Sequence, residues 1–488
     1  MRTVPGPTDR VVVVGAGLGG LSAALRLVAA GREVTVLERG PHPGGRAGLL
    51  ELDGYSFDTG PTVLTMPDLI ADALGCVGEE LADWLDLRPL HPVYRAFFPD
   101  GSSLDVLSDP GAMAEEVRRV CGPEEARGYE RFVRFAARLY RYERQDFIDR
   151  NTDSPVDLLT PNLARLAAVG GFRRLAPAVS SYLKDPRTQR VFSFQSLYAG
   201  VSPFEALALY AVIAYMDAVS GVVAPVGGMH AVPRALAAAA EKHGATLRYG
   251  ETVTRVVVQH GRAVGVETAA GERIAADVVV LNPDLPAALD LLPPRRRRRL
   301  RSSPSCFLLL AGSRQDYTRT AHHNLHFGRE WRGVFRDLTR RGRLMADPSL
   351  LVTSATKTDP TLAPAGRHSW SVLAPTPNQT SGIDWEVVGP RYREELLHRL
   401  DGLGYRGFGH AMEVEHVTTP LDWERQGLVD GTPFSFAHTL RQTGPFRPGN
   451  LVPGVEGVVL TGTGTRPGVG VPMVLLSGRL AAERVVGR

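Results

Sequence analysis

The chain has 488 residues, a formal net charge of +4 and a hydrophobic content of 43%. This length exceeds what one hydrophobic core supports, so we expect two or three domains. Cys76, Cys121 and Cys306 are scattered along the chain, which argues against a disulfide framework or a metal site and fits a reducing compartment. The longest apolar run, 206–216, is too short to span a bilayer.

The first predicted element is a strand over residues 11–14, an unbroken β-branched run typical of a strand buried on both faces. A G-x-G-x-x-G loop follows at 15–20, then a helical pattern and a second apolar strand that ends on Glu38. In this arrangement the three glycines allow a tight turn, a close approach to a pyrophosphate and close helix packing. The pattern predicts a dinucleotide site, with Glu38 accepting hydrogen bonds from a ribose.

The next loop, 39–48, is rich in turn residues and holds Arg46 beside a glycine pair. The planar guanidinium matches phosphate oxygens, so we expect Arg46 to reach the phosphates held by the first loop. A plain surface loop is the alternative.

The predicted secondary structure changes twice in the middle of the chain. A hairpin is predicted at 94–107, and residues 123–219 are almost wholly helical. A helix that ends near residue 240 and strands at 246–249, 253–259, 263–268 and 274–281 indicate a return to the nucleotide domain. The end of the chain repeats the opening order, with a strand at 457–462, a glycine-rich turn at 464–472 and a helix at 473–486. We therefore expect both ends of the chain to build one site.

Three other segments allow more than one interpretation. His322, His323 and His326 favour a polar strand edge over a metal site, because no acid or cysteine cluster accompanies them. The arginine run 295–299 can meet anionic lipid headgroups or simply be solvated, and nucleic acid is poorly supported. The apolar block 192–216 either lines a tunnel for an apolar ligand, touches a membrane, or forms ordinary helical core.

Taken together, several motifs resemble the bacterial-type carotenoid (phytoene) desaturases, FAD-dependent enzymes of the amine-oxidase-like flavoprotein superfamily. Two departures concern positions 223–224, where the family usually has an aromatic residue, and Arg466, where it usually has histidine. These departures bear on substrate length or product range. The motifs that carry the resemblance are 11–20, 44–46, 57–62, 192–198, 202–204, 225–229 and 464–478.

The resemblance implies an α/β fold that is α+β in its substrate region. It consists of a Rossmann-like FAD-binding domain (1–90, 225–300 and 415–488), a substrate-binding domain (91–122 and 301–414) and a helical region that faces membrane or substrate (123–224). The cofactor-binding residues that we predict are Gly15, Gly17, Gly19, Gly20, Glu38, Arg39, Gly45, Arg46, Gly60, Thr62, Val253, Gly464, Gly470 and Val471.

The implied reaction is desaturation of phytoene toward lycopene by hydride transfer to FAD, with oxygen or a quinone as acceptor, in an enzyme peripheral on the cytoplasmic membrane. Asp157 resembles an acidic position of the family and is a candidate catalytic residue, although a helix cap is the alternative. Two other functions stay open. One is another flavin oxidoreductase, such as an amine oxidase, an apocarotenoid desaturase or a hydroxysqualene-processing enzyme, and the other is a non-catalytic prenyl-binding escort protein.

Overall fold

The computed structural model describes residues 1–487, apart from the side chains of Gln145 and Pro155. Within this range no helix is both long and apolar enough to cross a membrane. The strands are β1 (Arg10–Val14), β2 (Glu33–Glu38), β3 (Leu49–Leu52), β4 (Tyr55–Asp58), β5 (Leu87–Pro89), β6 (Tyr94–Phe97), β7 (Ser103–Val106), β8 (Val223–Pro225), β9 (Thr246–Tyr249), β10 (Val253–Gln259), β11 (Arg262–Thr268), β12 (Arg273–Ala275), β13 (Val278–Leu281), β14 (Ser305–Ser313), β15 (His323–His326), β16 (Leu350–Ser354), β17 (His368–Thr376), β18 (Met412–Thr418) and β19 (Val458–Leu460). The α-helices are α1 (Leu18–Ala29), α2 (Asp68–Gly75), α3 (Leu81–Trp84), α4 (Pro110–Cys121), α5 (Pro123–Glu143), α6 (Pro161–Ala168), α7 (Leu175–Tyr182), α8 (Pro186–Val191), α9 (Ala211–Ala218), α10 (Ala231–Lys242), α11 (Leu285–Asp290), α12 (Arg332–Arg336), α13 (Trp385–Gly402), α14 (Phe408–Ala411), α15 (Pro420–Arg425) and α16 (Val471–Val486).

A parallel five-stranded sheet, in the order β19-β13-β1-β2-β9, forms the centre of the cofactor half of the molecule. Successive side chains of a strand point to opposite faces, and β1 follows this rule. Val11 and Val13 pack in the core under α1, α10 and α16, while Val12 and Val14 pack with residues of the antiparallel sheet β10-β11-β12. Both faces of β1 are therefore covered, which explains its unbroken valine run.

The two ends of the chain meet directly where α16 packs on α1. The Ser22 hydroxyl donates to the carbonyl of Leu475 at 2.7 Å. Gly478 makes the close contact possible, because a Cβ there would collide with the carbonyl of Gly19 and lie 2.7 Å from the Cβ of Ser22. The predicted meeting of the two chain ends is confirmed at this contact, and it brings the two glycine-rich loops together.

A seven-stranded sheet, in the order β18-β14-β17-β16-β15-β6-β7, forms the second layer. On one face, Phe307 and Leu309 of β14 pack against α13. On the other face, Cys306 and Leu308 line a large cavity. β18 spans 412–418 and belongs to this sheet, so the predicted domain boundary at 414/415 falls inside a strand.

The histidine segment differs from the sequence-based expectation. The interpretation as a polar strand edge is wrong, because β15 lies inside the sheet between β16 and β6 and all four of its residues are buried. His323 shares a hydrogen bond with the Thr353 hydroxyl at 3.0 Å, and His326 with the Tyr405 hydroxyl at 2.9 Å. Burial lowers the pKa of His326 to about 3, so this ring packs as a neutral core group.

The helical prediction for residues 123–219 is confirmed by α5 to α9 and the short turns between them. Phe132 and Phe135 of α5 pack with Tyr182 and Phe192 in a buried aromatic cluster. The side chains of α9 divide between this core and the core of the cofactor half. Residues of this region and of the seven-stranded sheet both line the large cavity.

Candidate functional site

One cavity of about 1120 Å³ runs from the glycine-rich loops into the helical region. Its cofactor end is lined by the first glycine loop, the 39–48 loop, the 60–62 turn and the C-terminal loop. Its far end is lined by apolar side chains of the helical region and of the seven-stranded sheet, among them Leu158, Leu163, Leu166, Leu207, Leu209, Val212, Ile213, Met216, Leu308, Leu351 and Leu373.

Glu38, at the end of β2, is hydrogen-bonded to the first glycine loop. Its Oε2 accepts a hydrogen bond from the Ala16 amide and its Oε1 one from the Gly40 amide, both at 2.8 Å. The amide of Gly44 in turn donates to the carbonyl of Ala16 at 2.8 Å. The acid that the sequence assigned to a ribose therefore lines the cavity and also orders the two loops beside it.

Arg46 joins three distant segments of the chain. Its Nη1 donates to the Thr463 hydroxyl at 2.7 Å and its Nη2 to Asp284 at 2.8 Å. Asp284 is almost fully buried, with 1% of its side chain exposed, and also accepts from the Val429 amide at 3.0 Å. No described residue accepts a hydrogen bond from the buried Nε of Arg46. One donor of this cavity-lining guanidinium is thus left for an anionic ligand.

Asn282 is a site residue that the sequence reasoning missed. It follows the last residue of β13, and its Nδ2 donates to the carbonyl of Gly15 at 3.2 Å. A Cβ at Gly17 would lie 2.7 Å from this amide, and one at Gly19 would lie 2.8 Å from its oxygen. The available signal was the polar pair Asn282 and Asp284 directly after a buried strand, since ligands of parallel sheets bind at the carboxyl ends of the strands.

Most of the predicted cofactor residues line the cavity, and two contact protein instead. A Cβ at Gly20 would collide with the carbonyl of Gly15, which agrees with its predicted packing role, and Gly464 packs against Leu285. Gly60 is needed on steric grounds as well, because a Cβ there would collide with the carbonyl of Arg46. The predicted residues that line the cavity are Gly15, Gly17, Gly19, Glu38, Arg39, Gly45, Arg46, Gly60, Thr62, Val253, Gly470 and Val471.

Asp157 has a structural role in the observed geometry. Its Oδ2 accepts hydrogen bonds from the backbone amides of Asp153 at 2.7 Å and Ser154 at 3.0 Å, which completes a capping box. These hydrogen bonds lower its pKa. It is not among the residues that line the cavity, whereas its neighbour Leu158 is. The cap interpretation accounts for these contacts, and a catalytic role for Asp157 remains a prediction.

The cavity is also lined by ionisable groups that the sequence did not point to. Burial raises the pKa of Glu143 well above its usual value and that of Asp217 to about 7. Both residues lie at the carboxyl ends of helices, where the macrodipole also disfavours a negative charge. Burial lowers the pKa of His438, so this ring is neutral. No sequence pattern marked these positions, because their burial depends on tertiary packing and not on their neighbours in sequence.

The cofactor end fits a flavin dinucleotide. The glycine loop lies at the start of α1, Glu38 lines the cavity beyond it, and the buried Nε of Arg46 lacks an acceptor within the described chain. The C-terminal loop adds a second set of backbone groups before α16. A dinucleotide loop on a parallel sheet, opening into a large apolar cavity, defines a nucleotide-dependent oxidoreductase.

Comparison with known proteins narrows this class. The chain belongs to the family described as flavin containing amine oxidoreductase, which matches residues 18–486, and its cofactor is FAD. It is 56% identical to a phytoene dehydrogenase of Streptomyces griseus, over 100% of this chain and 97% of the relative. It is 37% identical to a zeta-carotene-forming phytoene desaturase of Myxococcus xanthus, over 98% and 94%. An oxidoreductase structure from Methanosarcina mazei shares the fold, with a TM-score of 0.62 at 19% identity over 96% of this chain and 99% of that one.

Proposed function

We propose that the protein is an FAD-dependent desaturase of a long apolar polyene, converting phytoene toward lycopene in carotenoid biosynthesis. The observation that carries this proposal is a continuous cavity that joins the cofactor loops to an apolar tunnel. Its volume of about 1120 Å³ exceeds the roughly 300–1,000 Å³ of ordinary small-molecule pockets. A dinucleotide and an extended hydrocarbon are the pair of ligands that such a shape suits.

The two ends of the cavity would bind different ligands. Glu38, Arg46 and the glycine loops would hold the cofactor, and the apolar lining would hold the polyene and exclude water. When bound, FAD supplies the oxidising power, taking a hydride from an allylic carbon. The C-terminal loop is held to the helical region by Arg466, which donates to the carbonyl of Thr152 at 2.8 Å. This contact would keep the substrate tunnel aligned with the cofactor.

Expression in cells that accumulate phytoene tests the proposal. We expect phytoene to be converted to more conjugated, coloured products, and the purified protein to be yellow with bound FAD. Bound flavin without conversion of phytoene would favour another oxidoreductase of the fold, and testing amines and apocarotenoids would identify which. A colourless protein that still binds a prenyl chain would favour the escort alternative.

We further propose that the protein takes its substrate from a membrane surface through an exposed apolar rim. The apolar rim consists of Phe172, Leu440 and Phe446, which line the cavity and are 43%, 57% and 49% exposed. Arg298, in the arginine run, donates to the carbonyls of Arg441 and Phe446 at 2.5 and 2.6 Å. Cations beside exposed apolar side chains suit an anionic bilayer surface.

Vesicle sedimentation tests the membrane proposal. The double variant Leu440→Glu/Phe446→Glu should bind phosphatidylglycerol vesicles at least about tenfold more weakly, since each large apolar side chain contributes about 1.5–3 kcal/mol when buried. The matched control is Val387→Glu, a change at an apolar residue that is 52% exposed on α13. Equal vesicle binding by the two variants would refute the role of the apolar rim.

We also propose that the domains divide as the sheets do. The five-stranded sheet would carry FAD, the seven-stranded sheet would cover the substrate, and α5 to α9 would face the membrane.

We propose in addition that oxygen or a quinone reoxidises the flavin. Turnover with a soluble quinone in the absence of oxygen, compared with turnover in air, identifies the acceptor. Strict dependence on a nicotinamide nucleotide would contradict this part of the proposal.

A further inference from the structure

His438 stands out in the cavity because it is placed between the cofactor loop and the apolar tunnel. Its ring packs against Gly468, where a side chain would collide with it, and Gly468 belongs to the C-terminal glycine loop. The Tyr210 ring meets the His438 ring edge to face, with the ring centres 5.9 Å apart. The His438 amide donates to the carbonyl of Ala199 at 2.9 Å, which fixes the backbone. The ring therefore has a defined position beside both ends of the cavity.

The Nε2 atom of His438 is buried, and no described residue hydrogen-bonds to it. An unpartnered buried polar atom costs about 1–3 kcal/mol, and the polyene of the proposed function offers it no hydrogen bond. The residue is 7% exposed and lines the cavity. The ring therefore borders the space that the substrate of the proposed function would occupy, which suits it to taking part in the reaction.

We propose that His438 is a catalytic residue that accepts the proton released by the polyene, an inference that rests on the proposed function. Desaturation breaks one C–H bond on each of two adjacent carbons and forms one C=C bond between them. One hydrogen leaves with its electron pair for the flavin. The other leaves as a proton to a ring nitrogen of His438, and the electrons of its C–H bond become the new π bond.

Two other buried ionisable groups that line the cavity, Glu143 and Asp217, are less suited to this role. Burial raises the pKa of Glu143 well above its usual value and that of Asp217 to about 7, which favours the protonated form of each carboxyl, and a protonated carboxyl is a poor proton acceptor. Neutral imidazole has one acceptor nitrogen and can take a proton at once. The groups that face His438 are Tyr210, whose hydroxyl bonds that of Thr443 at 2.6 Å, and the buried Arg447. The positive charge of Arg447 disfavours a lasting imidazolium, so the proton is released before the next desaturation.

The test compares His438→Gln with a matched control, His416→Gln, which changes an exposed histidine on β18. With phytoene in the absence of oxygen, the rate of flavin bleaching should fall by about 10²–10⁴-fold in His438→Gln and stay within twofold in His416→Gln. FAD affinity, measured by fluorescence quenching on the apoprotein, should change by less than twofold in both. A tenfold loss of FAD affinity in His438→Gln would instead make His438 a cofactor-binding residue and overturn the inference.

Chemical rescue separates a base from a packing residue. In His438→Ala, added imidazole should restore flavin bleaching, and substituted imidazoles should restore it in order of their basicity. The inference would be overturned if His438→Gln bleached the flavin as fast as the wild type. It would also be overturned if the rate of flavin bleaching fell in Glu143→Gln or Asp217→Asn instead. These results differ from failure of the proposed function, in which the wild-type protein itself leaves phytoene unconverted.

Discussion

The ion pair between Arg46 and Asp284 allows a prediction whose magnitude follows from burial. The Asp284 side chain is 1% exposed and that of Arg46 is 26% exposed. Removing one partner of a fully buried pair costs about 3–5 kcal/mol, whereas a fully exposed pair contributes about 0–1 kcal/mol. Arg46→Ala leaves Asp284 with the Val429 amide as a remaining donor. We therefore expect an intermediate loss of about 2–3 kcal/mol in the free energy of unfolding.

Urea unfolding of the apoprotein, followed by tryptophan fluorescence, measures this loss without the contribution of bound FAD. The matched control is Arg88→Ala, because Arg88 and Asp86 form an ion pair at 2.6 Å whose side chains are 59% and 53% exposed. The control should change the free energy of unfolding by less than about 0.5 kcal/mol. Similar losses in the two variants would show that burial of Asp284 does not set the energy.

A double-mutant cycle isolates the pair itself. Asp284→Ala removes the buried acceptor, so combining it with Arg46→Ala should cost less than the sum of the single changes, by about 1–2 kcal/mol. Additive losses would mean that Arg46 stabilises the protein through its contact with Thr463 instead.

Three further predictions follow from the same structure. Glu38→Ala should lower FAD affinity about 10–100-fold in a fluorescence titration, because it removes two loop hydrogen bonds and the predicted ribose acceptor; unchanged flavin occupancy would rule out the ribose assignment. Gly478→Ala should cost about 1–3 kcal/mol in thermal unfolding through the collision with the Gly19 carbonyl, whereas Gly75→Ala, where a Cβ meets open space, should not destabilise the protein. Burial raises the pKa of Asp217 to about 7, so the folded state holds this proton more tightly than the unfolded state, and stability should fall as pH rises from about 4 to about 7. Asp217→Asn should reduce that slope in melts across this range, and an unchanged slope would contradict the shift.

The elements of the cofactor half followed from local patterns. The predicted strands at 246–249 and 253–259 match β9 and β10, because alternation and β-branched residues mark strands independently of their partners. The single strand predicted at 274–281 is in fact two strands. Residues 273–275 pair with β11 in the antiparallel sheet, and 278–281 join the parallel sheet beside β1. The pattern of one strand does not reveal where the chain passes from one sheet to another.

The chain by itself determined the dinucleotide loop, the acid at the end of β2 and the second glycine-rich loop, because these depend on residue type and spacing within short segments. Only the tertiary structure decided which distant residues complete the site. Asn282 reaches the first glycine loop, and Asp284 and Thr463 reach Arg46 in the next loop, all from strand ends far along the chain. His438 reaches the C-terminal loop through its packing against Gly468. Such contacts depend on how the layers pack, which no local periodicity records. The buried ionisable groups of the tunnel are of the same kind, because their protonation states are set by burial and not by their neighbours in sequence.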